Sequence, residues 1–193
     1  MKILIHICCA SCAITPLREL TENSEYSITG FFYNPNIHPY TEMDKRRQAV
    51  ADYAGKEGFE VIFAEYDMEN FFKNVAANIE APLRCQICWK MRLHRTARYA
   101  KEKGFDAFTT TLLVSPYQDR QTVVKVGSEL GNEIGVKFID TDWRGGFRAA
   151  QQFAREHNMY RQKYCGCVFS EKERYCKEKR RENSLSPQGK GLR

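Results

Sequence analysis

The stretch Lys2-Ile3-Leu4-Ile5-His6-Ile7-Cys8-Cys9-Ala10-Ser11-Cys12 decides how the rest of the chain is read. Its apolar run, Lys2 to Ile5, reads as a short strand that delivers three thiols into the turn at its C-terminal end. In open α/β sheets that end of the strands is where ligands sit. Adjacent side chains in extended backbone face opposite ways, so Cys8 and Cys9 cannot both enter one core from a strand. A loop can turn both toward a single metal or cluster. Buried structural thiols are the plainer alternative, since free cysteine packs as a small hydrophobe. Three cysteines within five residues, with further pairs downstream, weigh against it.

Outward from this loop, strands and helices alternate. Thr15-Pro16 reads as a cap and first helical residue, opening a helix to about Thr21. Tyr26 to Tyr33 is rich in aromatic and β-branched residues and reads as a strand, followed by the turn-rich Asn34-Pro35-Asn36-Ile37-His38-Pro39. A helix from Thr41 to Lys56 ends at Gly58; residues 59–66 alternate like a strand and 68–78 look helical. Pro82-Leu83-Arg84 leads into Cys85-Gln86-Ile87-Cys88 at the start of a helix that runs to Lys103 and stops at Gly104. The i, i+3 spacing puts both sulfurs on one face, and the positive end of the helix dipole would favour thiolates there. A strand over 107–114, a helix over 119–133 closed by Gly135, a short strand over 136–139 and a helix over 147–156 complete the alternation. The last helix is expected from Ser170 to Arg181.

The expected fold is therefore an α/β, three-layer Rossmann-like sandwich with a mainly parallel sheet and cysteine clusters on strand-end loops. Residues 1–183 form a single catalytic domain with a basic C-terminal helix. Residues 184–193, rich in Ser, Gly and Pro, are an expected disordered tail.

A chain of 193 residues suits one core plus a tail. No apolar run approaches the roughly 20 residues of a membrane span, so no membrane partner is expected. The N-terminus faintly resembles a signal peptide, but His6, the cysteines and the missing cleavage site argue against one, and a cytoplasmic protein is expected. The formal charge of +6 is uneven: residues 171–193 hold eight Lys or Arg against four Glu, net +4. A basic end of this kind suits an acidic partner such as RNA, and equally a solvated helix face.

Eight cysteines in a cytoplasmic enzyme point to metal or redox chemistry rather than a disulfide scaffold. Seven are bunched as Cys8-Cys9-x-x-Cys12, Cys85-x-x-Cys88 and Cys165-x-Cys167, with Cys176 alone. Four thiolates can hold zinc or a four-iron cluster. Vicinal cysteines are poor tetrahedral zinc ligands, and seven exceed what one zinc uses. An iron–sulfur cube accepts sulfurs from several loops, so the surplus favours it. Cys165-Gly166-Cys167 is a different object: glycine lets the backbone fold tightly enough for both sulfurs to meet, as a labile disulfide or on one metal. Neither a dinucleotide fingerprint nor a Walker loop is present, since the first strand leads into cysteines rather than glycines.

The sequence resembles the cobalamin-independent epoxyqueuosine reductases of the QueH type. The blocks that carry the likeness are His6 to Cys12, Arg84-Cys85-x-x-Cys88 with Met91-Arg92-Leu93 and Thr96-Ala97, Phe108 to Leu113 with Ser115-Pro116-Tyr117, Asp142-Trp143-Arg144, and Tyr160-Arg161-Gln162-x-Tyr164-Cys165-Gly166-Cys167-x-x-Ser170. They run in family order from residue 6 to 170. Family members often carry proline where Ser11 stands, which leaves the thiols untouched. The resemblance implies two-electron reductive removal of the epoxide oxygen from epoxyqueuosine in a tRNA anticodon loop, the last step of queuosine modification. It implies a 4Fe-4S cluster on Cys8, Cys9, Cys85 and Cys88, and a redox-active pair in Cys165 and Cys167. A second, mononuclear iron is a further family feature, with Cys12, Cys165 and Cys167 as candidate ligands. An electron donor of unidentified nature completes the partners.

Within these blocks Asp142, His6 and Tyr164 are candidate proton donors. Tyr117 and Trp143, in strand-end loops, are candidate platforms for a splayed base. Arg92, Arg144 and Arg161 are candidate phosphate contacts. Two rivals make different demands. A tRNA-thiolating sulfurtransferase would adenylate its target and need a nucleotide loop. A zinc-stabilised RNA-binding module would be colourless and inert to reductants.

Overall fold

A computed structural model describes residues 1–176. Five parallel strands form one sheet in the order β3-β2-β1-β4-β5. They are β1 (Lys2–His6), β2 (Ser27–Phe32), β3 (Glu60–Phe63), β4 (Ala107–Thr110) and β5 (Lys137–Phe138). β1 is the central strand: Ile3, Leu4 and Ile5 are fully buried, as a strand covered on both faces must be. Among the described residues, seven α-helices surround the sheet: α1 (Ala10–Thr21), α2 (Tyr40–Glu57), α3 (Met68–Val75), α4 (Leu83–Glu102), α5 (Arg120–Ile134), α6 (Phe147–Glu156) and α7 (Val168–Tyr175). Right-handed crossovers put α1 and α2 on one face and α4 and α5 on the other. α6 packs on α1, and α3 on α4.

The strand order reverses beside β1. The chain moves from β1 to β2 and β3 on one side, then returns to lay β4 and β5 on the other. The crevice above the C-terminal ends of β1 and β4 is therefore the topological switch point, the expected ligand site of such a sheet. Cys8 follows β1 at that point, and Thr111 follows β4.

Several boundaries differ from the sequence reading. α1 opens at Ala10 with Cys9 as its N-cap, so Thr15 and Pro16 lie inside the helix. Pro16 carries no N–H for the Cys12 carbonyl one turn back. Burial of Ala10, Ala13 and Ile14 against the core outweighs this local preference. β4 stops at Thr110 instead of running to Val114, and residues Thr111–Val114 make a 3₁₀ turn in which the Thr110 hydroxyl accepts the Leu112 N–H. α7 starts at Val168, two residues before the expected Ser170, and closes at Tyr175. The expected extension to Arg181 and the tail at 184–193 lie outside the described residues.

Candidate metal centre

The first thiol set is built by the β1–α1 junction. Cys8 lies in the loop, Cys9 caps α1 and Cys12 stands in its first turn. Their three sulfurs lie within 4.8 Å of one another, brought together where the loop passes into the helix. Cys9 and Cys12 are buried and Cys8 is partly so. Thr111, across the switch point, holds Cys8 from both sides: its hydroxyl oxygen accepts the Cys8 backbone N–H at 3.0 Å and lies 3.2 Å from the sulfur. The Gln162 side-chain amide reaches Cys9 Sγ at 2.9 Å, and its Oε1 is buried without a partner.

Electrostatically the trio is uneven, with Cys8 the most acidic of the three. Contacts from the Cys12 and Cys9 thiols hold Cys8 well below its ordinary range against the cost of burial, with Arg92 and Thr111 helping. Cys12 is pushed well above its range by the Cys8 and Cys9 sulfurs beside it and by burial. Cys9 rises to about 12: the Cys12 contact opposes this, and the Cys8 sulfur and burial outweigh it.

The second set stands at the start of α4 and in the loop before α7. Cys85 is in the first turn of α4 and Cys88 in the next. Burial raises both thiols, Cys88 to about 12, although Arg84 and Arg92 respectively pull the other way. The expectation that the helix dipole alone would favour thiolates is thus overridden by desolvation. Cys167 packs with Cys88 in a small cluster under Phe71 and Val75. Cys165 is exposed, its sulfur 2.9 Å from the Ser170 hydroxyl.

Gly166 between them has φ +117°, and a Cβ there would meet Ile37 Cγ1 at 2.8 Å and Arg46 Nη1 at 3.2 Å. Glycine is required for the backbone path as well as for close approach. The loop is tied down from below: His38 N–H donates to the Gly166 carbonyl, and Arg46 donates to the carbonyls of Cys165 and Tyr164 at 3.0 and 3.1 Å. Glu42 holds Arg46 and accepts the Tyr160 hydroxyl.

Between the two thiol sets lies Arg92, 4% exposed. Its Nη1 is 3.9 Å from Cys88 Sγ, its Nη2 donates to Asn34 Oδ1 at 2.7 Å, and its Nε lies 3.3 Å from His6 Nε2. A guanidinium only donates, so His6 Nε2 accepts and its Nδ1–H points to Thr110 Oγ1 at 2.8 Å. Asn34 donates to the Ile7 carbonyl, locking this set to the cysteine loop.

The sequence expectations divide clearly. Arg92 is no phosphate contact, because it is buried among thiols and neutral polar groups. Trp143 is no base platform: it is 1% exposed in the core, with its indole N–H unpartnered. His6 is fully buried and held near pKa 3 by desolvation and Arg92, so it is neutral and not a ready proton donor. Asp142 is an exposed carboxylate held down to about 2, chiefly by its hydrogen bond with Arg144, which it pairs at 2.6 Å. Tyr164 stays protonated, pushed up to about 12 by burial and Glu42, but its hydroxyl is committed to the His38 carbonyl.

Tyr117, in contrast, is 83% exposed, with its ring edge-on to Phe147. Arg161 and Arg144 are exposed, Arg144 being shared with Asp142. Four residues that the sequence reading left without a role at the thiols stand beside them here: Thr111, Gln162, Arg46 and Ser170. The Thr109-Thr110-Thr111 run was their clearest signal, being polar at the end of a buried strand.

The described donor set is all sulfur, and no His or carboxylate joins the Cys8, Cys9, Cys12 group. Soft thiolates clustered this way fit an iron–sulfur cluster or another thiophilic metal. No helix among the described residues is long and apolar enough to cross a membrane.

A family model described as epoxyqueuosine reductase QueH matches residues 3–173. The epoxyqueuosine reductase QueH of Dehalococcoides mccartyi is 39% identical over 177 residues, covering 91% of this chain and 96% of that protein. That of Thermotoga maritima is 37% identical over 180 residues, covering 89% and 91%. Among solved structures, the U34-tRNA thiolase NcsA from Methanococcus maripaludis with its [4Fe-4S] cluster superposes with a TM-score of 0.61 at 15% identity, over 88% of this chain and 61% of that one. That likeness is one of fold.

Proposed function

Since the chain belongs to the epoxyqueuosine reductase QueH family, an oxidoreductase family acting in queuosine tRNA modification, we propose that its two thiol sets are the working parts of that reduction. Cys8, Cys9, Cys85 and Cys88 hold a 4Fe-4S cluster, and Cys165 with Cys167 form a redox pair. Cys12 with the Cys165 and Cys167 thiols, in their reduced form, are the candidate ligands for a second, mononuclear iron. The observation that carries this reading is the meeting of three sulfurs within 4.8 Å at the switch point, with Cys88 next to the same buried guanidinium.

The overall reaction converts an epoxide to an alkene, taking two electrons and two protons and releasing the oxygen as water. A cluster held by these thiols would supply single electrons, and the second iron would supply a Lewis acid for the oxygen. The chain supplies the rest. Thr111 and Gln162 fix the cysteine sulfurs, Arg92 offsets their charge, and the wall of β1, α1 and α4 keeps water from the buried thiols. The exposed Cys165 is the thiol that an external electron donor reaches first, and the buried Cys167, raised to about 11 mainly by desolvation, keeps its proton near neutral pH.

The substrate is a tRNA whose anticodon loop presents the modified base. Tyr117 is the stacking platform, and Arg161 and Arg144 are phosphate contacts. Residues 1–183 act as one catalytic unit in the cytoplasm. Anaerobic purification with iron, sulfide and zinc analysis, then incubation with epoxyqueuosine-tRNA and a low-potential reductant, tests the whole. Sulfide near four per chain, iron near four with a further iron for the second site, and a nucleoside lighter by one oxygen are expected; stoichiometric zinc without sulfide would overturn the cluster.

A further inference from the structure

We propose that Arg92 is the built-in counter-ion of the thiolate–metal centre, a positioning residue whose fixed charge stabilises ligation by Cys8 and Cys88 and raises the reduction potential of what they hold. The potential half of this statement rests on the cluster reading above; the charge half needs only a metal on these thiols.

Three strongly buried arginines make the comparison on which this stands. Arg46, Arg84 and Arg92 are 2%, 3% and 4% exposed. Arg46 pairs with Glu42 at 2.7 Å and Arg84 with Glu173 at 2.9 Å. Among the described residues Arg92 has no carboxylate within 4.0 Å. A desolvated cation without an anion is costly, and proteins rarely leave one so. Its hydrogen-bond partners, His6 and Asn34, are neutral. The remaining candidates for its counter-charge are sulfurs: Cys88 Sγ at 3.9 Å, and, across Asn34 and the Ile7 carbonyl, the neighbouring Cys8.

The placement is rigid. Arg92 lies one helical turn after Cys88 on α4, and Asn34 couples it to the Ile7 carbonyl beside Cys8. One cation thus spans both sides of the crevice. A thiolate-ligated cluster is anionic and gains a further negative charge on reduction, so a nearby fixed cation favours the reduced state. Removing it lowers the potential and loosens the metal.

The test compares anaerobically prepared, metal-loaded wild type with Arg92→Lys and Arg92→Gln. The readouts are the midpoint potential, followed by visible absorbance and electron paramagnetic resonance, and the rate of metal loss to a chelator. Arg92→Gln is expected to weaken the reduction equilibrium at least about tenfold, or about 59 mV for a one-electron couple. It is also expected to lose metal at least about tenfold faster, an ordinary cost for losing a group that supports metal ligands. Arg92→Lys, which keeps the charge, is expected to retain most of both properties. Loading of Arg92→Lys but not of Arg92→Gln supports the same assignment.

An Arg92→Gln protein with unchanged potential and metal retention would overturn it. So would loss of metal from both variants, because the guanidinium shape and not its charge would then be what matters. If the wild type holds zinc without iron or sulfide, the cluster reading fails by itself, and the chelator rates of the zinc-loaded variants still decide the role of Arg92.

Discussion

The two thiol sets are the same chemical group in opposite settings. The β1–α1 set is buried, sits at the switch point of the sheet and is fixed by Thr111 and Gln162. The Cys165-Gly166-Cys167 segment pairs one exposed thiol with one buried thiol, and is held through its carbonyls by Arg46 and through Gly166 by His38. A metal seat needs rigid sulfurs shielded from water; a thiol pair that exchanges electrons with a partner needs one sulfur within reach. The difference in burial supports two jobs for these thiols, a sheltered seat and a reachable pair, which spacing alone leaves open.

The largest effect is expected where the assignment is most exclusive. Cys88→Ser should lose the cluster outright, with iron and sulfide falling to background and turnover of epoxyqueuosine-tRNA falling more than about 100-fold, beyond the usual cost of a lost supporting group. Cys165→Ser should instead retain the cluster's iron and sulfide, losing at most the second iron, while losing turnover with a dithiol reductant. If both variants lose iron equally, the division between seat and exchange pair is wrong. Gly166→Ala comes next. The alanine would need the left-handed φ of +117° and would press on Ile37 and Arg46, at a cost of order 1–3 kcal/mol. That strain falls on the exchange loop only. Turnover should drop about tenfold or more at unchanged sulfide content, and a matching loss of sulfide would show that the loop also holds the cluster.

This contrast was half legible in the sequence. The apolar Lys2 to Ile5 run followed by thiols, with alternating strands and helices after it, was enough for a parallel α/β sandwich, because the patterns are local. The start of α1 was not, since Thr15-Pro16 is a strong local cap while Cys9 and Ala10 begin the helix for a tertiary reason, the burial of Ala10, Ala13 and Ile14. Nor did local pattern separate an arginine that meets phosphate from one that meets thiols. Arg92 and Arg161 look alike in a motif, and only the approach of α4 to the β1 end buries the first. Trp143 shows the same limit from the other side: a loop position suggested exposure, yet the side chain fills the core.

A smaller effect tests the support under the exchange loop. His38 is buried, with its ring stacked on Phe72 and its Nδ1 facing the Val168 N–H at 3.4 Å. Desolvation lowers it from 6.5 to about 4. Between those values the unfolded chain binds a proton that the folded chain does not, so stability is full above about pH 6.5 and falls as pH drops toward 4. The slope from this one group is at most about 1.4 kcal/mol per pH unit. His38→Gln, which keeps an acceptor near Val168, should flatten that slope in urea unfolding followed from pH 7 to 5 at matched iron content. An unchanged slope would mean that other groups carry the acid sensitivity and that His38 is already hydrated.

The smallest expected change lies at the rim, where neither thiol set is touched. Tyr117 is 83% exposed and its ring meets Phe147 edge-on, so Tyr117→Ala should leave stability within about 0.5 kcal/mol and metal content unchanged. Stacking of a base on an aromatic side chain contributes about 1–3 kcal/mol. The lower end, about fivefold in KM for the tRNA with kcat preserved, is the expectation here, because the ring is unsupported on its open side. Tyr117→Phe should restore binding, since the face and not the hydroxyl does the stacking. If Tyr117→Ala changes kcat instead, the residue acts on the reacting base and not on its neighbours, and the boundary between the catalytic crevice and the docking rim moves outward to include it.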